Sequence, residues 1–212
     1  KILKKRNLLL KREQSNTRSF SIIEDVYIEN AARVILARIN LINIVDEFAH
    51  LIYQKISNQQ SRLKIRYALS FPIDSGKINL DNLKEALKKQ IQEKKEQEKK
   101  RKSSMVGPHL DDMHVYQDGR IARYFASQGQ QRNLAVSLKL AEIHTFKKLN
   151  GFYPVFLLDE VLSELDAQKR QLLLDYLQEA DFQSFLTSVN LNDVEYGKAV
   201  ISMVKEIGRA HV

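Results

Sequence analysis

Between Ser21 and Ile56 the chain has no glycine or proline, and apolar side chains return at Ile22, Val26, Val34, Leu41, Val45, Phe48, Ile52 and Ile56. That spacing is the 3.6-residue period of an α-helix with a wide apolar stripe. The predicted helix is roughly 35 residues long, well beyond an ordinary globular helix. A helix of this length demands a helical-hairpin or coiled-coil-like lobe, and the rest of the fold has to be arranged around it. Ser21 followed by Glu24 predicts a capping box at its start. With only 7 Gly and 3 Pro among 212 residues, long helices are favoured over a sandwich of many short strands.

Apolar residues make up 43% of the chain, enough for a real core, which argues against full disorder. The absence of Cys excludes a disulfide framework and any Cys-ligated zinc or iron–sulfur site, and suits a cytoplasmic protein. No apolar run approaches the ~18 residues of a membrane helix. The formal charge is +8. Lys88–Lys102 holds eight basic and three acidic residues, so this one stretch carries a net +5. Its cations Lys94, Lys95, Lys99, Lys100, Arg101 and Lys102 are candidate phosphate contacts for nucleic acid. Interspersed Glu and the lack of any aromatic leave a solvated helix face as the competing reading.

Lys1–Lys11 reads as the end of a basic helix, and residues 14–19 as a polar break. Arg62–Phe71 alternates Leu63, Ile65, Tyr67, Leu69 and Phe71 with polar or small residues, a half-buried strand closed by turn formers at 72–76. A helix is predicted from Leu80 to about Lys102. Residues 107–119 read as a short turn-rich segment. A helical pattern then runs from Ser127 to Leu149, an apolar strand covers PVFLLDE at 154–160, and a helix spans 164–180. Short strands are predicted at 182–190 and around Val200–Val204. Alternating helices and strands imply a parallel sheet covered by helices. The expected division is 1–14 as the end of a preceding helix, 15–103 as a mostly helical insertion lobe with one or more strands, and 104–206 as a second lobe. Residues 207–212, IGRAHV, read as a non-native tail of the kind a sequencing adapter encodes. With the missing initiator Met, the chain is expected to be a gene fragment.

Two patterns carry chemistry. VFLLDE at 155–160 places Asp159 and Glu160 just past a buried strand, which is a Walker B pattern. Asp159 can hold Mg²⁺ through water, because that ion takes few carboxylates and keeps its waters. Glu160 is then placed to polarise a water attacking a phosphate. A strand that simply ends in two helix-capping acids gives the same pattern. SQGQQR at 127–132 sits at a helix start, where Ser127 can N-cap and Gly129 lets an anion approach the backbone. An ordinary capped helix is again the alternative. His114 and His144 have no metal-ligand partner at suitable spacing.

Taken together, SQGQQR, LLDE and VLSELD resemble the C-terminal lobe of the RecF family, ABC-type ATPases of bacterial recombinational repair. FASQGQQRNLAVSLKLAEI, GPHLDD and LKKRNLLLK extend the resemblance from Lys1 to about Val204. It implies an α/β fold, an ABC-ATPase-type (P-loop NTPase) head lobe with a helical insertion domain. Residues 104–206 then form the ATPase lobe, holding signature loop, Walker B and D-loop. Ser127, Gln128, Gly129 and Gln130 become the signature loop, which meets the γ-phosphate of ATP bound to the opposite subunit. Asp159 becomes the Walker B Asp with Mg²⁺, Glu160 the catalytic acid (many members have Asp there), and Asp166 a D-loop residue. Thr187–Ser188 falls at the switch position, where no His is present.

The resemblance further implies an ATP-dependent homodimer that binds single- and double-stranded DNA at gaps and junctions during DNA-damage repair, replication and the SOS response. It supports RecA loading through RecR and RecO. Two departures stand out. Leu110 replaces the basic residue of the family's G-P-H-R-D-D, which leaves the part played by His109 open. A Walker A motif, G-x-x-x-x-G-K-[ST], is absent: the pairs Gly76-Lys77 and Gly197-Lys198 have Phe71 and Asn192 where the first Gly belongs. The isolated chain is therefore expected to bind ATP weakly and not to hydrolyse it. Another SMC-like or ABC-type repair ATPase, or a non-catalytic basic helical nucleic-acid-binding protein, would share many of these features.

Overall fold

The computed structural model describes residues 1–57, 61–73, 78–159 and 165–187. Its elements are α1 (Ile2–Lys11), α2 (Arg18–Ser57), β1 (Leu63–Ala68), α3 (Leu80–Arg101), β2 (Asp112–Gln117), β3 (Arg120–Ile121), α4 (Ala122–Phe125), α5 (Gln128–Asn150), β4 (Phe156–Leu158), α6 (Ala167–Gln178) and β5 (Ser184–Leu186).

The long helix is α2, unbroken over 40 residues. It begins earlier than the Ser21 capping box predicts. Thr17 supplies the cap, its Oγ1 accepting from the Phe20 amide at 3.2 Å. Ser21 lies inside the helix, and Glu24 accepts instead from Arg6 at 2.7 Å. A buried guanidinium competes for that carboxylate more strongly than a solvated backbone amide does.

α2 is the spine of two apolar clusters. Its first half packs Tyr27, Ala31 and Ile35 against Leu83, Leu87 and Ile91 of α3, with Phe71 and Val106. Its second half packs Ala49, Ile52, Tyr53 and Ile56 against β1 and α5, and that cluster continues to Phe156, Leu158, Leu173 and Phe182. Leu83, Leu87, Leu140 and Leu173 have no exposed surface. Burying each such side chain contributes about 1.5–3 kcal/mol.

The segment read as turn-rich at 107–119 contains a strand. β2 pairs antiparallel with β1, from Leu63 opposite Gln117 to Ala68 opposite Asp112. Asp118 and Gly119, at φ 50° and 79°, form the two-residue turn into β3. Two successive positive φ values are what a type I′ hairpin needs, and Asp-Gly meets that need at low steric cost.

β4 and β5 pair in parallel, with Leu157 opposite Phe185 and Leu158 opposite Leu186. This is the parallel pairing that the alternation implied, with helical residues such as Leu140 and Leu173 in the cluster on its buried face, and the fold is α/β. One face of the pair is buried through Phe156 and Leu158, while Leu157 and Phe185 on the other are 72% and 54% exposed. The predicted strand around Val200–Val204 and the tail at 207–212 lie outside the described residues.

Candidate functional site

The SQGQ residues form the first turn of α5. Ser127 is its N-cap and closes a full capping box. The Ser127 Oγ accepts from the Gln130 amide at 3.3 Å, and the Ser127 amide donates to Gln130 Oε1 at 2.8 Å. Gln128 follows on the exposed face. Gly129 has no positive φ, and a Cβ built there would meet only Lys169 Nζ, at 3.7 Å. Among the described residues no packing contact requires glycine at 129, although glycine costs a helix about 1 kcal/mol against alanine.

Asp166 is the N-cap of α6 and accepts from the Lys169 amide at 3.0 Å. Its other oxygen holds the Lys169 ammonium at 2.7 Å. These bonds from Lys169 keep the Asp166 carboxyl below its ordinary pKa. Lys169 therefore stands beside both Gly129 and Asp166, and it brings the two sequence-predicted motifs together. Sequence reasoning passed over Lys169. Its signal was the spacing of three residues from an N-cap acid at the start of a helix.

Asp159 leaves the carboxyl end of β4, the end where ligands bind in open α/β sheets. Thr187 leaves the same end of β5. Its amide donates to the Leu158 carbonyl at 2.9 Å and its hydroxyl to Asp159 Oδ1 at 2.5 Å. Thr187 thus holds the Asp159 carboxylate at the ends of the two strands. Glu160 lies outside the described residues.

Directly ahead of Ser127, α4 leaves Tyr124 and Phe125 72% and 66% exposed. Arg120 sits over the Phe125 ring at 5.7 Å. Gln117, Asp118, Arg120, Phe125 and Gln130 line an open cleft of about 280 Å³ beside the capping box.

The candidate cations on α3 are not equivalent. Lys94 and Lys95 are half-buried, and Lys99 is drawn to Glu96 at 2.7 Å. Lys100 and Arg101 are exposed. Lys102 is the left-handed C-cap and pairs with Glu13 at 3.0 Å. His109 does not face the SQGQ turn. Its Nδ1 lies 3.5 Å from the Tyr27 hydroxyl and its Nε2 3.3 Å from the Ser104 carbonyl oxygen. Leu110, at the family's basic position, is 49% exposed. The next residue, Asp111, accepts from Tyr67 at 2.7 Å and from the Ser70 amide at 2.8 Å.

No family model matches the chain. It is 36% identical over 198 residues to the Enterococcus faecalis DNA replication and repair protein RecF, covering 92% of this chain and 52% of that protein. The RecF of Halalkalibacterium halodurans is 37% identical over 199 residues, with 92% of this chain and 53% of the relative covered. A solved structure of the recombination mediator protein RecF with ATP, in the RecFOR pathway, superposes with a TM-score of 0.73. A second, described as RecF-ATPrS, gives 0.77. Each is 32% identical and covers 92% of this chain and 52% of the solved one. The chain spans about half the length of the relatives it matches. Over nearly its whole length it belongs to the RecF family.

Proposed function

We propose that this chain is the C-terminal part of a RecF-type DNA repair ATPase and supplies the half of a composite ATP site that acts on a partner copy. In this reading Ser127, Gln128, Gly129 and Gln130 are the signature loop, and Asp166 lies at the dimer interface. The observation that carries it is the meeting of the SQGQ turn with Asp166 through Lys169, at a glycine that packing among the described residues does not require. A helix N-terminus whose first turn carries a glycine beside the Lys169 ammonium suits a phosphate. The exposed aromatic pair Tyr124–Phe125 beside it fits a face that a partner covers.

Asp159 and Thr187 offer carboxylate and hydroxyl oxygens, a hard donor set that suits Mg²⁺. One carboxylate is enough when waters and phosphate oxygens complete the shell, and Asp159 would hold the ion through water. When bound, the ion would neutralise charge developing on the phosphate oxygens. Asp159 is positioned by Thr187, and Glu160 would orient the attacking water. The division into a helical insertion lobe at 15–103 and an ATPase lobe at 104–206 belongs to the same proposal. So do ATP-dependent binding of DNA at gaps and junctions, and RecA loading with RecR and RecO.

Ser127→Arg tests the reading, in a chimera that joins this chain to the preceding half of a RecF relative. Monomer ATP binding is expected to persist, because that binding uses the chimera's own phosphate loop. Nucleotide-dependent dimers, read by light scattering with a slowly hydrolysed ATP analogue, are expected to be lost along with hydrolysis. If Ser127 were only a helix cap, the variant would lose ~1 kcal/mol of stability and still dimerise. Normal ATP-driven dimers from Ser127→Arg would overturn the signature-loop assignment.

A further inference from the structure

The positive charge of this chain is concentrated in two segments that are distant in sequence. Residues 1–18 hold seven cations and one acid, and residues 88–102 hold eight cations and three acids. Against these fifteen cations and four acids, all the other residues carry nineteen cations and twenty-two acids. Solubility alone would not require this segregation, since a solvated surface intersperses its charges.

The fold brings the two segments together. Arg6 of α1 donates to Glu98 of α3 at 2.6 Å, and Asn7 Oδ1 accepts from the Ser104 amide at 2.8 Å. Glu13, just past α1, pairs with Lys102, just past α3. Both residues have positive φ, 59° and 54°, so both helices end in a left-handed residue at the same place. α1 and α3 thus run side by side toward a common end. Lys4, Lys5, Lys11 and Arg12 stand exposed on α1 and its exit, and Lys100 and Arg101 on α3. Arg6 takes no part in this surface, because it is buried and neutralised by Glu24 and Glu98. Its role is to fix α1 against α3, so the exposed cations are held on a rigid frame.

We infer that the exposed cations of α1 and the end of α3 form one surface that binds the phosphate backbone of duplex DNA. The inference rests on the DNA-binding reading above and adds α1, which that reading does not include. Neither segment contains an aromatic residue. The surface therefore has no platform for stacking unpaired bases, which favours duplex over single strands. Lysine-rich surfaces of this kind act as point charges on phosphates and carry no sequence preference.

The test is fluorescence anisotropy of this chain with a labelled 30-base-pair duplex at several salt concentrations. The variants are an α1 set (Lys4→Gln, Lys5→Gln, Lys11→Gln, Arg12→Gln) and an α3 set (Lys99→Gln, Lys100→Gln, Arg101→Gln). Each phosphate that is no longer neutralised should flatten the slope of log K against log salt by ~0.9. The α1 set is expected to flatten it by up to about 3.6. The α3 set should remove up to about 2.7, and the two sets should add. Between 50 and 200 mM salt, the α1 variant would then escape a loss of affinity of roughly a hundredfold.

Circular dichroism should show unchanged helix content, since all these residues are exposed except Lys99, which is half-buried and paired with Glu96 of the same helix. Duplex binding by the wild-type chain with an unchanged slope in the α1 variant overturns this inference alone. No duplex binding by the wild-type chain at 50 mM salt also overturns this inference, while the ATP-dependent DNA reading falls only if the chimera with ATP fails to bind the same duplex. Retention on polyglutamate in that case identifies an acidic protein as the partner. Tighter binding of single-stranded than of duplex DNA would also overturn the inference.

Discussion

The two ends of this molecule treat their polar and apolar groups in opposite ways. Where α1, α2 and α3 meet, a full charge is buried. Arg6 is 1% exposed and donates to Glu24, Glu98 and Ser104, with the rings of Phe20 and Tyr27 at 5.3 and 5.5 Å. Glu98 also accepts from the Met105 amide at 2.6 Å. At the β4–β5 end, two large apolar side chains point outward and the carboxylate of Asp159 stands exposed. The helical end closes on itself. Among the described residues the sheet end leaves one strand face bare, whereas parallel strands are ordinarily covered on both faces. The candidate site residues Asp159 and Thr187 sit at this second end.

The sharpest way to break this contrast is Arg6→Met. It leaves Glu98 as a buried, uncompensated carboxylate, and it should cost about 3–5 kcal/mol in urea unfolding of the chain. Adding Glu98→Leu should recover much of that loss, because two well-packed apolar groups replace a desolvated ion pair at little net cost. A loss below about 1 kcal/mol for the single variant would show that this end is not sealed by the pair.

A smaller effect separates the regions by pH. His144 of α5 packs within the apolar cluster of the sheet end, 2.7 Å from the Tyr176 hydroxyl, stacked on Phe48 and edge-on to Tyr153 and Phe182. Burial, and then the nearby Lys55, push its pKa below the ordinary imidazole value of 6.5. In the same apolar surroundings the Tyr176 hydroxyl is pushed up to about 12. Above pH 6.5 both folded and unfolded chains carry a neutral imidazole, and the full stability is present. Below it the unfolded chain binds a proton that the folded chain refuses, so stability falls until the pH has passed below the folded value. Denaturant titrations at pH 7.0 and 5.5 should show this loss, and His144→Gln should reduce it. An equal pH dependence in the variant would assign the effect to other groups.

Much of the fold was legible because it rests on periodicity. The α2 helix itself, Ile52 and Ile56 of its stripe, the Ser127 cap of α5 and the alternation that ends in β4 and β5 are all local signals, but Ile22, Val26, Val34 and Leu41, read as part of the stripe, are exposed, and Tyr27, Ala31 and Ile35 are buried in the first half of α2 instead. The hairpin at 112–121 was obscured by its own neighbours. GPHLDD and the Asp-Gly turn crowd a six-residue strand, and turn-forming residues drowned its alternation of Met113, Val115 and Gln117 against His114 and Tyr116. The Ser21 cap was misplaced because Glu24 answers to Arg6, eighteen positions upstream, and no local rule sees that distance. At the candidate site the motif residues were readable as types at spacings. Lys169 joining Gly129 to Asp166 was not, since it depends on two helix N-termini meeting in space.

The smallest expected effect is also the one that tests the open end most directly. Leu157 and Phe185 are register partners on the bare face of the β4–β5 pair, and both are more than half exposed. In this chain alone, Leu157→Thr with Phe185→Thr removes apolar surface that is already in water. Threonine supplies a β-branched shape that strands favour. The unfolding free energy should therefore change by no more than about 0.5 kcal/mol. In a chimera carrying the preceding half of a RecF relative, the same pair of changes should cost several times more, if a further layer covers this face. Buried large-to-small apolar changes are typically worth about 2–5 kcal/mol. Urea midpoints of the chain and the chimera, each with and without the two substitutions, measure the difference. Equal small effects in both would mean that this face stays bare in the larger protein, and the contrast between a closed and an open end would fail.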